Sequence, residues 1–204
     1  MVITMKKLNN INGSEMVYQD PVIKEMEVNY VLKQRTIPLY DEVTRESVFK
    51  CLYWIDKLVA LDKIKGTKET IKIQIDSYGG FVYHGLSLIS RIKSLIAEGY
   101  EVIGICAGVA MSMGSAILMA CSTRRMYKYG TILIHQVSSG AMGEVQTLKE
   151  ELEESQRLWR LLQDLIIQDT KITQAQLDDI TTRKFDWILN SEQALALNVI
   201  DQIL

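Results

Sequence analysis

The feature that most constrains this chain is a strict alternation of short apolar runs between Ile71 and Ile134. Ile71 to Ile75 is β-branched at every second position and ends at Ser77-Tyr-Gly-Gly, a turn signal. Val82, Leu86, Ile89, Ile92 and Ile96 then recur at helical spacing up to Gly99. Val102 to Cys106 reads as a second buried strand, and Gly108 is expected to turn the chain into a helix of small and apolar residues, Met111 to Ala120. Arg125 to Tyr127 and Thr131 to Ile134 read as two more strands, split by Gly130. Strand and helix in this order imply βαβ units: an α/β fold whose helices cover a largely parallel sheet.

The flanks are read by the same rules. Residues 1 to about 30 carry Asn, Gly and Ser around Asn9 to Ser14 and no clear periodicity, so an arm over residues 1–34 is expected to be mobile or dependent on a partner. Residues from Arg35 begin the main body with a short strand. Val48, Cys51, Leu52, Ile55, Leu58 and Val59 then give a helix within Glu42 to Leu61. After His135, Ser138-Ser-Gly-Ala-Met-Gly143 is small and flexible. Val145, Leu148, Leu152, Leu158, Leu162, Leu165 and Ile166 mark a long helix with a charged opposite face. A helix of that length can protrude from the body, and its stripe, with Trp159 and Leu162 on or near it, is expected to be covered by another subunit. Thr173 and Gln176 fit a capping box, and Asn190 opens the last helix.

Bulk properties exclude several classes. The 204 residues are 48% hydrophobic, enough for one sizeable core. The formal charge of -2 shows no basic excess, so neither nucleic acid nor an anionic membrane is expected as a partner. MVITMKKLNN lacks an apolar run after its lysines, so no signal peptide is expected. No apolar stretch approaches the ~18 residues of a membrane span. Cys51, Cys106 and Cys121 lie in apolar runs and read as reduced core residues, and two histidines cannot make a multi-histidine metal cluster. A cytoplasmic protein without metal or cofactor is expected.

Two residues carry candidate chemistry. Ser112 lies in Gly108-Val-Ala-Met-Ser-Met-Gly114, after a buried strand and at a helix start, where backbone N–H groups favour developing negative charge. An ordinary N-cap serine has the same local signature. His135 leaves the strand Thr131-Ile-Leu-Ile134 and can serve as a general base if it meets the serine; a structural rim histidine reads alike. His84, in the helix after Gly80, is taken as structural. Chain order discriminates between triads. No Asp or Glu lies between Ser112 and His135, and no His follows His135, so the order Ser, acid, His is excluded. Asp76, His84 and Ser112 make a contrived set. There remains Ser112, His135 and a later acid: Asp178, Asp179, Asp186 or Asp201. Apolar Phe185 and Trp187 flank Asp186 and are expected to bury it. The two glycines after Ser77 expose backbone N–H groups of the kind an oxyanion hole needs, although an ordinary turn does the same.

Together these segments resemble the proteolytic subunit of the Clp protease. That family shows Asn/Asp-Ser-x-Gly-Gly, Gly-x-Ala-x-Ser-Met-Gly and Ile-His-Gln segments, which stand here as Asp76-Ser-Tyr-Gly-Gly80, Gly108-Val-Ala-Met-Ser-Met-Gly114 and Ile134-His-Gln136. The family's acid precedes a Phe-Leu/Met-Ser-Ala-x-Glu-Ala stretch by two residues, and Asp186-Trp-Ile-Leu-Asn-Ser-Glu-Gln-Ala194 matches without a gap. The resemblance runs from Arg35 to Leu204 and implies the Clp and crotonase type of fold, stacked βαβ units with a protruding handle helix over residues 138–170. It implies Ser112 as nucleophile, His135 as base and Asp186 as orienting acid. It implies an oxyanion hole from the N–H groups of Gly80 and Met113, and substrate contacts at Gly79, Gly140 and Gly143. It further implies peptide or unfolded-protein substrates, a homo-oligomer of two stacked rings with about seven subunits each, about fourteen in all, and an AAA+ unfoldase as possible partner. The family's proline after Ser77 is Tyr78 here, and the proline after His-Gln is Val137. Residues 1–34 do not follow the family's axial-loop pattern, and the chain stops at Leu204 without the usual tail, so engagement of an unfoldase is expected to differ.

Two other readings compete. A crotonase-type enzyme acting on coenzyme A thioesters shares the architecture but has no need of an ordered Ser, His and Asp. An inactive ring scaffold typically loses a triad member, and none is missing from this chain.

Overall fold

The computed structural model describes residues 21–138, 140 and 142–204. The chain divides into two units, one ending at Arg35 and one spanning Thr36–Leu204. In the first unit Pro21–Gln34 forms a helix, α1. The rest of the expected N-terminal arm, residues 1–20, lies outside the described residues, as do Ser139 and Ala141 of the small-residue segment after His135.

The second unit is built on one sheet. Among the described residues it has seven strands: β1 Thr36–Leu39, β2 Ile71–Ser77, β3 Val102–Met111, β4 Thr123–Met126, β5 Thr131–Ile134, β6 Trp187–Leu189 and β7 Gln202–Ile203. The path β1-β2-β3-β4-β7 is parallel throughout. The helices between are α2 Arg45–Lys65, α3 Val82–Ala97, α4 Met113–Met119, α5 Val145–Asp169, α6 Gln174–Arg183 and α7 Ser191–Ala196. The α/β reading therefore holds, with its strands and crossing helices in the expected order.

Local chemistry sets these boundaries. Thr44 caps α2 through a reciprocal capping box with Ser47, and Gly66 ends it in the left-handed conformation at φ 68°. Thr173 with Gln176 and Asn190 with Gln193 do the same at the starts of α6 and α7. In β2, Ile71, Ile73, Ile75 and Ser77 are buried and alternate with Lys72, Gln74 and Asp76, the period-two pattern of a strand. The first five residues of β3 are all buried, as in a central parallel strand covered on both faces. Helix α3 turns Leu88, Ile89, Ile92 and Leu95 inward, and α4 packs against β3, α3 and α5. Cys51, Cys106 and Cys121 are buried and free, and burial pushes each thiol up to about 12, so all three are protonated core residues.

The structure corrects the expected turn at Gly108. Strand β3 runs through it to Met111, and the helix starts only at Met113. The glycine is there for space: a β-carbon on it would lie 2.7 Å from Asp76 Oδ1, which accepts the Val109 N–H at 2.9 Å. Beyond this point β3 changes neighbours. Ile103–Cys106 pair with β4, whereas Val109–Met111 pair with β5.

The stripe on α5 is also corrected. Leu158, Trp159, Leu162 and Ile166 are buried within this chain, so no second subunit is needed to cover Trp159 and Leu162. The exposed apolar residues of the helix are Val145, Leu148 and Leu152 in its first half and Leu161 in its second. Among the described residues, no helix is long and apolar enough to cross a membrane.

Candidate active site

The site grows from the split in β3. Ser112 follows the last residue of β3, and its N–H donates to the Leu133 carbonyl of β5 at 2.9 Å. Its backbone sits at φ 51°, ψ -120°, a region that L residues rarely occupy. Although Ser112 occupies the N-cap position of α4, its hydroxyl makes no capping bond, in contrast to the side chains of Thr44, Thr173 and Asn190. The plain N-cap explanation of this serine therefore fails. Its carbonyl is occupied instead, accepting from the Ser115 hydroxyl at 2.7 Å.

His135 is the first residue beyond β5, so it and Ser112 leave adjacent parallel strands at the same end. The two residues line one pocket together with Gly80, Met113 and Ser138. Strand β6 runs antiparallel to β5 with Ile134 opposite Trp187, and continuing that register sets His135 opposite Asp186. His135 Nδ1 lies 3.5 Å from Asp186 Oδ1. That is longer than a formed hydrogen bond of about 2.9 Å, and catalytic bonds of this kind commonly tighten when substrate binds.

The Gly-Gly turn is held from several sides. The buried Ser77 hydroxyl donates to the Asp41 carbonyl at 2.7 Å and accepts from the Gly79 N–H at 3.2 Å. Val43 bridges Gly80 in parallel fashion: the Val43 N–H donates to the Gly79 carbonyl at 2.7 Å, and the Phe81 N–H to the Val43 carbonyl at 2.8 Å. That pattern skips the Gly80 N–H, leaving it outside the ladder and beside the pocket. Gly79 and Gly80 have φ of 99° and 148°, which favour glycine. Gly79 packs directly on Ser112 without lining the pocket, while Gly140 and Gly143 lie outside the pocket lining.

The acids separate clearly. Asp178 accepts from Gln174, Asp179 pairs with Arg183, and Asp201 pairs with Arg124, whose side chain is 7% exposed. Burial raises the Asp201 carboxyl, but hydrogen bonds from the Arg124 side chain and backbone outweigh that and hold it below its ordinary range. Asp186 alone of the four stands beside His135. Its apolar flanks do not bury it, however; its side chain is 62% exposed. His84 sits edge-on to Phe81 on α3, away from the pocket.

The family model described as Clp protease matches residues 23–204. The chain belongs to the Clp protease family. The ATP-dependent Clp protease proteolytic subunit of Deinococcus radiodurans is 32% identical over 152 residues, 74% of this chain and 72% of that protein. The subunit of the same name from Cyanophora paradoxa is 28% identical over 190 residues, 91% of this chain and 94% of that protein. The one from Dehalococcoides mccartyi is 28% identical over 176 residues, 85% and 84% of the two chains. As a Clp protease the chain is a serine-type endopeptidase, a hydrolase.

Two contributors to the site escaped the sequence reading. Strand β6, which brings Asp186 to His135, has only three residues and pairs over a long sequence distance. Trp159, read as a subunit contact, lines the pocket beside Ser112. Its one visible signal was its position on the buried stripe of α5.

Proposed function

We propose that Ser112, His135 and Asp186 act as the catalytic triad of this peptidase. Ser112 Oγ attacks the scissile carbonyl carbon and passes its proton to His135. The carbonyl oxygen becomes an oxyanion that accepts from the Gly80 and Met113 N–H groups. The C–N bond then breaks, and the amine leaves with the proton from His135. Water, deprotonated by His135, attacks the acyl-enzyme and releases the acid, returning the proton to Ser112. Asp186 fixes the imidazole tautomer through Nδ1. The observation that carries this reading is the strained, uncapped Ser112 sharing a pocket with His135.

Membership of the family supports a wider reading. Residues 35–204 form the peptidase unit, with residues 138–170 as its handle and Gly140 and Gly143 flanking an extended substrate. The three relatives are each named as ATP-dependent subunits, which supports a peptidase core supplied with unfolded chains by an AAA+ partner. Exposed Val145, Leu148 and Leu152 on the handle suit stacking of two rings of this chain in the cytoplasm.

Ser112→Ala tests the core of the proposal. Cleavage of a fluorogenic peptide is expected to fall by about 10⁴- to 10⁶-fold with assembly unchanged. A fluorophosphonate is expected to label Ser112 in the wild type. Activity within tenfold of wild type would remove Ser112 from the nucleophile role.

A further inference from the structure

We propose that Trp159 closes the pocket beside Ser112, so that the peptidase cuts preferentially after small apolar residues such as alanine. This rests on Ser112 being the nucleophile, since the pocket next to the nucleophile receives the side chain that precedes the cut bond. Much of the pocket wall is apolar, made by Val82, Ala116, Ile134, Trp159, Leu162 and Ile166, and Ser115, Gln136 and Ser138 line the rest beside Ser112 and His135. Its free volume is about 50 Å³. A water molecule needs about 10–15 Å³ of space of this kind, and an apolar cavity that admits benzene measures about 150 Å³. The pocket therefore has room for a small side chain and not for an aromatic ring.

The restriction is a fixed one. Trp159 is 7% exposed, and its indole N–H donates to Thr181 Oγ1 of α6 at 2.8 Å. Thr181 in turn donates to the Leu177 carbonyl at 3.1 Å. The indole is thus pinned from behind by a second helix, and moving it aside for a larger side chain would break a half-buried hydrogen bond. Thr181 is a positioning residue: it reaches substrate only through Trp159.

The test uses the full chain in its native assembly and fluorogenic peptides that differ only in alanine, leucine or phenylalanine before the cut bond. The wild type is expected to rank them in that order by kcat/KM. Trp159→Ala should raise the phenylalanine-to-alanine ratio by at least about tenfold, within the range that pocket contacts supply. Trp159→Leu, which leaves a smaller void, should favour leucine and covers the case in which the alanine variant fails to fold. Thr181→Val should lower KM for the leucine peptide more than it changes kcat. A wild type that prefers phenylalanine, or an unchanged ranking in the folded Trp159 variants, would overturn the proposal. Fluorophosphonate labelling separates the two layers. With Ser112 labelled, an aromatic preference sinks the pocket reading alone; with Ser112 unlabelled, both readings fall.

Discussion

Gly79 rests against Ser112 so closely that a β-carbon on the glycine would lie 2.7 Å from the serine Cβ and 2.7 Å from the Met111 carbonyl oxygen. Both contacts involve atoms that cannot swing aside, and the glycine φ of 99° is unfavourable to any L side chain. Gly79→Ala must therefore shift either the Gly-Gly turn or Ser112. The expected result is a loss of peptidase activity of at least about 10²-fold, since a displacement near 1 Å is enough for that. The melting temperature should fall only modestly, because such strain costs about 1–3 kcal/mol. A peptide assay alongside a thermal melt checks both, and near-normal turnover would contradict the tight seat.

The acid assignment yields a comparison within one protein. Asp186→Asn is expected to lower turnover by about 10⁴-fold by leaving the imidazole in the wrong tautomer. Asp178→Asn and Asp179→Asn should stay within a few-fold of wild type, because their carboxylates are engaged with Gln174 and Arg183 on α6. Kinetics on the three variants decide the matter, and a damaging Asp178 or Asp179 change would reassign the acid.

Asp201 is expected to matter for stability instead. Its folded-state carboxyl is held below the ordinary value, so the unfolded chain binds its proton first as pH falls. The stabilisation is complete above the unfolded value of about 3.9 and disappears as pH drops through the lower folded value. Asp201→Asn leaves the buried Arg124 guanidinium short of its charged partner, at a cost of about 2–3 kcal/mol allowing for the carboxylate's partial exposure. Urea melts at neutral pH and near pH 3 should show the gap between variant and wild type shrinking in acid. A constant gap would refute the linkage.

The two ends of α5 should respond oppositely to a charge. Leu152 is 58% exposed, so Leu152→Glu is expected to leave the fold intact and to weaken ring stacking. Leu162 is 6% exposed and lines the pocket, so Leu162→Glu should unfold the subunit. Mass photometry for the first and circular dichroism for the second distinguish the outcomes. A Leu152→Glu variant with unaltered assembly would argue against stacking through this half.

Elements with a strong period were legible from the residues: α3 and α5 by helical spacing, β2 by alternation, the start of α6 by its capping box and the start of α7 by Asn190. Ser112 and His135 were legible as candidates because each follows a buried strand. Other relationships depend on tertiary contacts that no local pattern carries. Gly108 looks like a break, yet the strand continues because Asp76 needs the space its missing side chain leaves. Apolar neighbours suggested a buried Asp186, but β6 is too short to enclose it. Trp159 looked like an interface residue because nothing in the sequence shows that Thr181 lies behind it.

The change of partner along β3 has a consequence for how this molecule tolerates alteration. One end of that strand is tied to β4, and through it to β7 and the Arg124–Asp201 pair; the other is tied to β5 and β6, which deliver His135 and Asp186. Damage to the first edge is expected to show as lost thermal resistance, and damage to the second, on the proposed triad, as lost turnover. Heat tolerance and catalytic speed can thus drift separately, which leaves an evolving lineage free to tune one without surrendering the other.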